Sequence, residues 1–198
     1  ELQLIVTGAH LKKELGFTVQ TIENDGFPIH AKIEILEAED SPLGISRSMG
    51  RAMIGIAEAL DRLKPDILLL LGDRYEILAS AQAALIARIP IAHVHGGELT
   101  EGAVDDSIRH AITKLANIHF VSAEPYRHRV IQLGEQPEYV FTVGATSLDH
   151  LQHLKLLERE ELEKSLDFSL GKCCFLTTYH SATLSNQSPD EGAKEWLQ

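Results

Sequence analysis

The chain has 198 residues, a formal net charge of -11 and two cysteines. That length covers one α/β domain with a sizeable core and part of another. The acidic balance argues against a nucleic-acid backbone or an anionic membrane as the main partner. It leaves room for a phosphorylated small molecule, which a few Arg, His and backbone N–H groups can hold locally. No apolar run approaches the length of a membrane span. No basic-then-apolar leader with a cleavage site opens the chain. Cys173 and Cys174 are adjacent in a strand-like run, so they face opposite ways and read as two reduced packing residues. The expectation is a cytoplasmic protein.

The first strand pattern is Leu2–Thr7, turned by Gly8-Ala9-His10. It follows directly on Glu1, and so abrupt an opening suggests that more chain precedes it. A short polar helix is expected after His10, and another turn of helix over Thr18–Asn24 before Asp25-Gly26 breaks it. His30–Leu36 alternates as a strand does. Ser41-Pro42 opens a long helix to Lys64, with Ser as N-cap and Pro at the first helical position. Its buried stripe is Ile45, Met49, Ala52, Met53, Ile56, Ala57 and Leu60.

Asp66–Leu71 is an almost unbroken apolar run and is expected to be a strand buried on both faces. Gly72-Asp73-Arg74 ends it, and a helical pattern runs from Tyr75 to Ala87. A second apolar run, Ile89–Val94, leads into His95-Gly96-Gly97-Glu98 and a loop to Val104. A helix follows over Asp105–Ala116, then a strand over Ile118–Ser122. Glu124–Leu133 is a helix closed by Gly134, and Tyr139–Val143 is a strand. Ser147–Leu166 is helical in two pieces with a solvated, mixed-charge face. Lys172–Thr178 reads as a strand, with a helix from Pro189 or Asp190. The alternation defines an α/β fold with a mainly parallel sheet. The charged stretch before residue 170 reads as a domain boundary, giving 1–168 and 169–198.

No Gly-x-Gly-x-x-Gly fingerprint, P-loop or Gly-x-Ser-x-Gly elbow is present, which leaves nicotinamide binding, P-loop ATPase and serine hydrolase readings without support. What remains is a set of acids and histidines where strands end, the edge at which open parallel sheets bind ligands. Asp73 is either a helix N-cap or a carboxylate aimed at a ligand. Arg74 beside it is either a surface residue or a phosphate grip. His93 and His95 are two apart and would share one side of a continuing strand. Without a clear third ligand they suit acid–base or hydrogen-bonding work better than a metal. Glu98 is a loop carboxylate. Asp105 and Asp106 open a helix, and the i, i+4 pairs Asp105–Arg109 and Asp106–His110 either stabilise that helix or fix the charge of one acid in the site. His180 follows a strand beyond the boundary and is a candidate for proton transfer.

Four segments carry a resemblance. Gly72-Asp73-Arg74-Tyr75-Glu76, His93 to Gly102, Asp105 to Lys114 and Tyr179-His180 resemble the hydrolysing UDP-N-acetylglucosamine 2-epimerases of sialic-acid synthesis. The resemblance covers essentially the whole chain. It implies two Rossmann-like domains of the glycosyltransferase-B type with the substrate between them, seen here as a fragment. The implied reaction converts UDP-N-acetylglucosamine and water to N-acetylmannosamine and UDP, through elimination to 2-acetamidoglucal and then hydration. It needs neither metal nor cofactor. The implied catalytic residues are Asp73, His95, Glu98, Asp105 and His180. Arg74, Arg109 and His110 are implied to bind substrate. Many relatives have a carboxylate where this chain has His95, so the role falls to His95, to Glu98 three residues on, or to both. The implied partner is the nucleotide sugar alone, with no nucleic acid or membrane, in a homo-oligomer when full length. Three alternatives stay open: a related epimerase of a UDP-diacetamido sugar on the legionaminic acid route, a non-hydrolysing epimerase, and a nucleotide-sugar-binding module without turnover.

Overall fold

The computed structural model describes residues 1–39, 41–152, 154–180, 184 and 188–197. Contacts divide the chain after Gly144, ahead of the boundary at residue 168 read from sequence, into Glu1–Gly144 and Ala145–Gln198.

The first unit begins with β1 (Leu4–Thr7), two short 3-10 turns and α1 (Val19–Asn24), then β2 (Ile29–Ile33). β1 and β2 pair in parallel as a sheet of their own. Both are shorter than the sequence runs suggested, although Ile35, beyond the end of β2, is fully buried. α2 (Pro42–Leu63) starts where expected. Ser41 Oγ accepts from the Gly44 N–H at 3.1 Å, and Pro42 sits where its missing N–H costs nothing. Its inner face buries Ala52, Ile56, Ala59 and Leu60.

A four-stranded parallel sheet carries the site. Its strands, in spatial and chain order, are β3 (Leu68–Leu71), β4 (Ile91–Val94), β5 (Ile118–Val121) and β6 (Val140–Thr142). The crossovers are α3 (Tyr75–Ala87), α4 (Val104–Leu115) and α5 (Glu124–Gln132). Parallel pairing needs such crossovers, and each one returns the chain to the same edge. The register places Leu70, His93, His119 and Val140 side by side on one face. All four are buried. Leu70 joins a core with Ile56, Leu60, Ala81, Ala84, Ile91 and Ile112.

The opposite face differs from expectation. Leu69 is 63% exposed and Leu71 57%, and Phe141 and Val143 are exposed farther along. β3 therefore lies at the edge of its sheet with one face bare, and is not the doubly buried strand its Leu run implied. β4, with all four residues buried, holds that place.

In the second unit the expected helical stretch is indeed in two pieces, a 3-10 turn at Thr146–Gln152 and α6 (Arg159–Leu166). α7 (Pro189–Trp196) opens on a capping box made by Ser188 and Glu191. The strand expected over Lys172–Thr178 does not form. Phe175 and Leu176 are almost fully exposed, and among the described residues no neighbouring strand takes up this backbone. Cys173 and Cys174 are correspondingly exposed free thiols and not packing residues. No described helix is long and apolar enough to cross a membrane.

Candidate active site

Three loops leave the carboxyl ends of β3, β4 and β5, and the first two turn through left-handed backbone. After β3 the chain turns at Gly72 (φ +85°). Its N–H donates to Val94 O at 3.2 Å, and its carbonyl accepts from His93 Nε2 at 2.8 Å. His93 is fully buried, with Nδ1 3.2 Å from Thr113 Oγ1. Burial pushes its imidazole down to about 4; the charges of His119 and Arg109 act the same way, against the Gly72 hydrogen bond and Asp73. The ring is therefore neutral at pH 7. Because Gly72 O can only accept, the hydrogen sits on Nε2. His93 thus pins the turn that presents Asp73, and it points into the core. The shared orientation expected for His93 and His95 fails because β4 ends at Val94 and His95 takes a left-handed φ of +65°.

That left-handed step folds the second loop back on itself. Gly97 continues it at φ +81°, where a Cβ would stand 2.6 Å from Tyr126 O and 2.8 Å from Val130 Cγ2. Only glycine fits there. Arg129 donates to the Gly97 carbonyl and Arg109 Nη1 to the Glu98 carbonyl. So held, Glu98 brings Oε1 to 2.7 Å from His95 Nδ1 and 2.6 Å from Ser122 Oγ, at the end of β5. Partial burial works to raise the Glu98 carboxyl. The hydrogen bonds from Ser122 and His95 and the charges of His95 and Arg109 outweigh it and hold the group below the usual range.

Arg109, on α4, joins these loops. Its side chain is 5% exposed. Nη2 donates to Asp73 Oδ2 and to Thr100 Oγ1 at 2.7 Å; Nη1 donates to Glu98 O at 2.8 Å and Asp106 Oδ1 at 3.2 Å. Asp106 Oδ1 also accepts the Thr100 N–H at 2.9 Å. A guanidinium can serve this many acceptors because its donors form a fixed planar fork. Two carboxylates offset the cost of burying its charge.

The structure thus gathers Asp73 and Glu98 around one buried cation, Arg109, with His95 joined to them through the Glu98 side chain. Asp106 belongs with them, although the sequence left open which acid of the pair would serve. The expected Asp105–Arg109 pair gives way to Asp106–Arg109, with Asp106 Oδ2 also 3.7 Å from His110 Nε2. Arg109, expected on the substrate, turns inward to four protein acceptors. Asp73 is not the N-cap of α3, which is Arg74. Arg74 donates through Nε to the buried Glu76 at 2.8 Å and lies over the Tyr75 ring. Asp105 is near enough for its charge to act on Arg74. His180 belongs to the second unit, where it is exposed. His93, singled out for acid–base or hydrogen-bonding work, makes its hydrogen bonds inside the core, whereas Thr100, Thr113 and Ser122 are neighbours of the site that the sequence reading did not single out. Of these, Ser122, at a strand end, gave the one signal; Thr100 in a loop and Thr113 within α4 gave none.

Among the described residues no group of three or more His, Cys, Asp or Glu is placed to hold a metal ion. Two hollows, of about 300 and 280 Å³, lie beside Ile33 and Arg62 and beside Pro90 and Asn117, and none of the site residues lines either.

The fold is thus a parallel α/β sheet with acids and an imidazole tied together at its carboxyl edge, the edge at which open parallel sheets bind ligands. The family is narrower than that. The profile described as UDP-N-acetylglucosamine 2-epimerase matches residues 1–197, and the chain belongs to that family. It is 43% identical over 196 residues to the GDP/UDP-N,N'-diacetylbacillosamine 2-epimerase (hydrolyzing) of Campylobacter jejuni, covering 99% of this chain and 51% of that protein. It is 39% identical over 180 residues to the UDP-N,N'-diacetylbacillosamine 2-epimerase (hydrolyzing) of Legionella pneumophila, covering 91% and 48%. It is 34% identical over 164 residues to the UDP-N-acetylglucosamine 2-epimerase of Neisseria meningitidis, covering 83% and 42%. The crystal structure of the UDP-GlcNAc 2-epimerase from Neisseria meningitidis bound to UDP-GlcNAc superposes with a TM-score of 0.66 at 20% identity, over 82% of this chain and 42% of that one. The fold is accordingly α/β of the glycosyltransferase-B type. The chain spans about half the length of the curated relatives it matches.

Proposed function

We propose that the full-length protein is a hydrolysing 2-epimerase of a UDP-linked N-acetylated sugar, and that the sugar is a diacetamido one. The observation that carries the chemistry is the buried Arg109 fork, which fixes Asp73, Asp106 and the Glu98 backbone in one arrangement. The preference for a diacetamido sugar over UDP-N-acetylglucosamine, the first expectation from sequence, rests on the higher identity to the Campylobacter and Legionella proteins. UDP-N-acetylglucosamine is the second reading, favoured by the Neisseria relative.

In the elimination step a base takes the proton from C2. The C2–H electron pair becomes the C1=C2 double bond as the C1–O bond breaks, and UDP leaves with that bond's pair. In the hydration step water oxygen adds at C1, and a proton reaches C2 from the opposite face. The net change is UDP-sugar plus water to UDP plus the free 2-epimer. Asp73 serves as the base at C2. Asp105 lends negative charge to the anomeric carbon as C1–O cleaves. His95, with Glu98 on its Nδ1, moves a proton through Nε2, and His180 is the second unit's proton carrier. Arg74 and His110 contact the diphosphate. Arg109 positions the acids and leaves the substrate to others.

The test is to incubate the full-length protein in deuterated water with each UDP-sugar and follow proton NMR. UDP release together with the free 2-epimer deuterated at C2, lost in Asp73→Asn, supports the proposal. Release from UDP-N-acetylglucosamine alone moves the assignment to the second reading. Interconversion of the UDP-sugars without UDP release refutes hydrolysis, and no reaction with either refutes epimerase activity.

A further inference from the structure

Glu98 Oε1 is the meeting point of two donors, His95 Nδ1 at 2.7 Å and Ser122 Oγ at 2.6 Å. The two donors stand just past the ends of adjacent strands, β4 and β5. The His95 N–H donates to Phe120 O at 2.9 Å, so His95 is tied to β5 two residues before Ser122. The Glu98 backbone is gripped on both sides, by Arg129 at the Gly97 carbonyl and by Arg109 at its own. Backbone grips leave a glutamate head group free to turn about its side-chain bonds. The Ser122 hydroxyl is the second donor on that head, beside His95.

We infer that Ser122 is a positioning residue, which sets the tautomer of His95 by locking the Glu98 carboxylate onto Nδ1. This rests on the epimerase reading above and deepens it. A carboxylate only accepts, so the imidazole must carry its hydrogen on Nδ1, and the basic pair is then on Nε2. Nε2 takes a proton in one half-reaction and gives it back in the other. Glu98 stays ionised throughout and stabilises the imidazolium, the part an orienting carboxylate plays beside a catalytic histidine. The arrangement also answers the question the sequence left open: His95 and Glu98 act as one unit, His95 as the proton carrier and Glu98 as its orienter. Without the hydroxyl, Oε1 loses one of two donors, the carboxylate turns, and Nε2–H becomes accessible to the ring.

The experiment uses the full-length protein with histidine ¹⁵N-labelled, the His95 resonances being assigned by their absence in His95→Gln. Ser122→Ala and Ser122→Thr are compared for kcat, KM and the His95 ¹⁵N shifts. Ser122→Ala is expected to lower kcat about tenfold with KM within about twofold, and to move His95 from the Nδ1–H pattern toward a mixture of tautomers. Ser122→Thr keeps the hydroxyl and should restore both. A His95 tautomer unchanged in Ser122→Ala overturns the inference, as does a Ser122→Thr protein that behaves like Ser122→Ala. The two readings separate cleanly. Absent turnover in the wild type with a tautomer that still follows Ser122 refutes epimerase activity and keeps the positioning. Normal turnover with an indifferent tautomer does the reverse.

Discussion

Acid should weaken the first unit through one buried ring. His93 has no exposed surface and is neutral in the folded protein, its imidazole pushed from 6.5 down to about 4. The unfolded chain takes up a proton on this residue below pH 6.5, and the folded chain does so only below about 4. Between those values the unfolded state binds more protons, so stability falls as pH falls. The contribution of His93 is fully present above pH 6.5 and gone by about pH 4. Each pH unit in that window costs about 1.4 kcal/mol, and the whole window about 3 kcal/mol. His93→Gln removes the titration while leaving an amide that can still donate to Gly72 O. Urea unfolding of full-length wild type and variant, followed by circular dichroism from pH 7.5 to 4, reads the difference directly. The wild type should lose about 3 kcal/mol more than the variant across that range. His119, the neighbour in the same row, is held down by its own burial in both proteins, so the difference between the curves reads His93 together with its coupling to His119. Parallel stability curves for the two proteins would refute the assignment of a buried neutral ring to this position.

Three further outcomes follow from the loops at the strand ends. Arg109→Met leaves Asp73 and Asp106 without their buried counter-charge and should cost about 3–5 kcal/mol in urea unfolding. Arg109→Lys keeps the charge but not the fork, so it should fold with turnover reduced at least about 100-fold; activity within about tenfold of wild type would mean that the four contacts do not set the acids. Gly97→Ala puts a Cβ 2.6 Å from Tyr126 O at a φ of +81° and should lower stability by about 2–4 kcal/mol, read as a drop in Tm, whereas an unchanged Tm would contradict the tight turn.

The order of helices and strands was readable because apolar spacing, Ser41-Pro42 and the glycines after strands are local signals. The loops at the strand ends were readable for the same reason. The bond from Arg109 to Asp73 was not, since the two lie 36 residues apart and meet only once β3 and β4 pair. The helical spacing rule pointed instead to Asp105. With α4 beginning at Val104, the acid three residues before Arg109 is the one that reaches the guanidinium. The Leu run of β3 misled because composition records apolarity and not position in the sheet. His95 gave no hint of its left-handed backbone, a conformation imposed by the fold-back at Gly97. The Cys173–Leu176 segment has a strand's composition, but a strand exists only beside a partner.

The hub at Arg109 has a consequence for how such a site can change. Asp73 and Asp106 are both bonded to the Arg109 guanidinium, and Asp106 also to the Thr100 N–H, so their spacing is set as the chain folds. Under the epimerase reading proposed above, selectivity for one sugar over another could drift at residues that touch the sugar while the geometry of the acids stays untouched. A hub of this kind would separate the proposed reaction from the molecule it acts on, and the second could be altered without relearning the first.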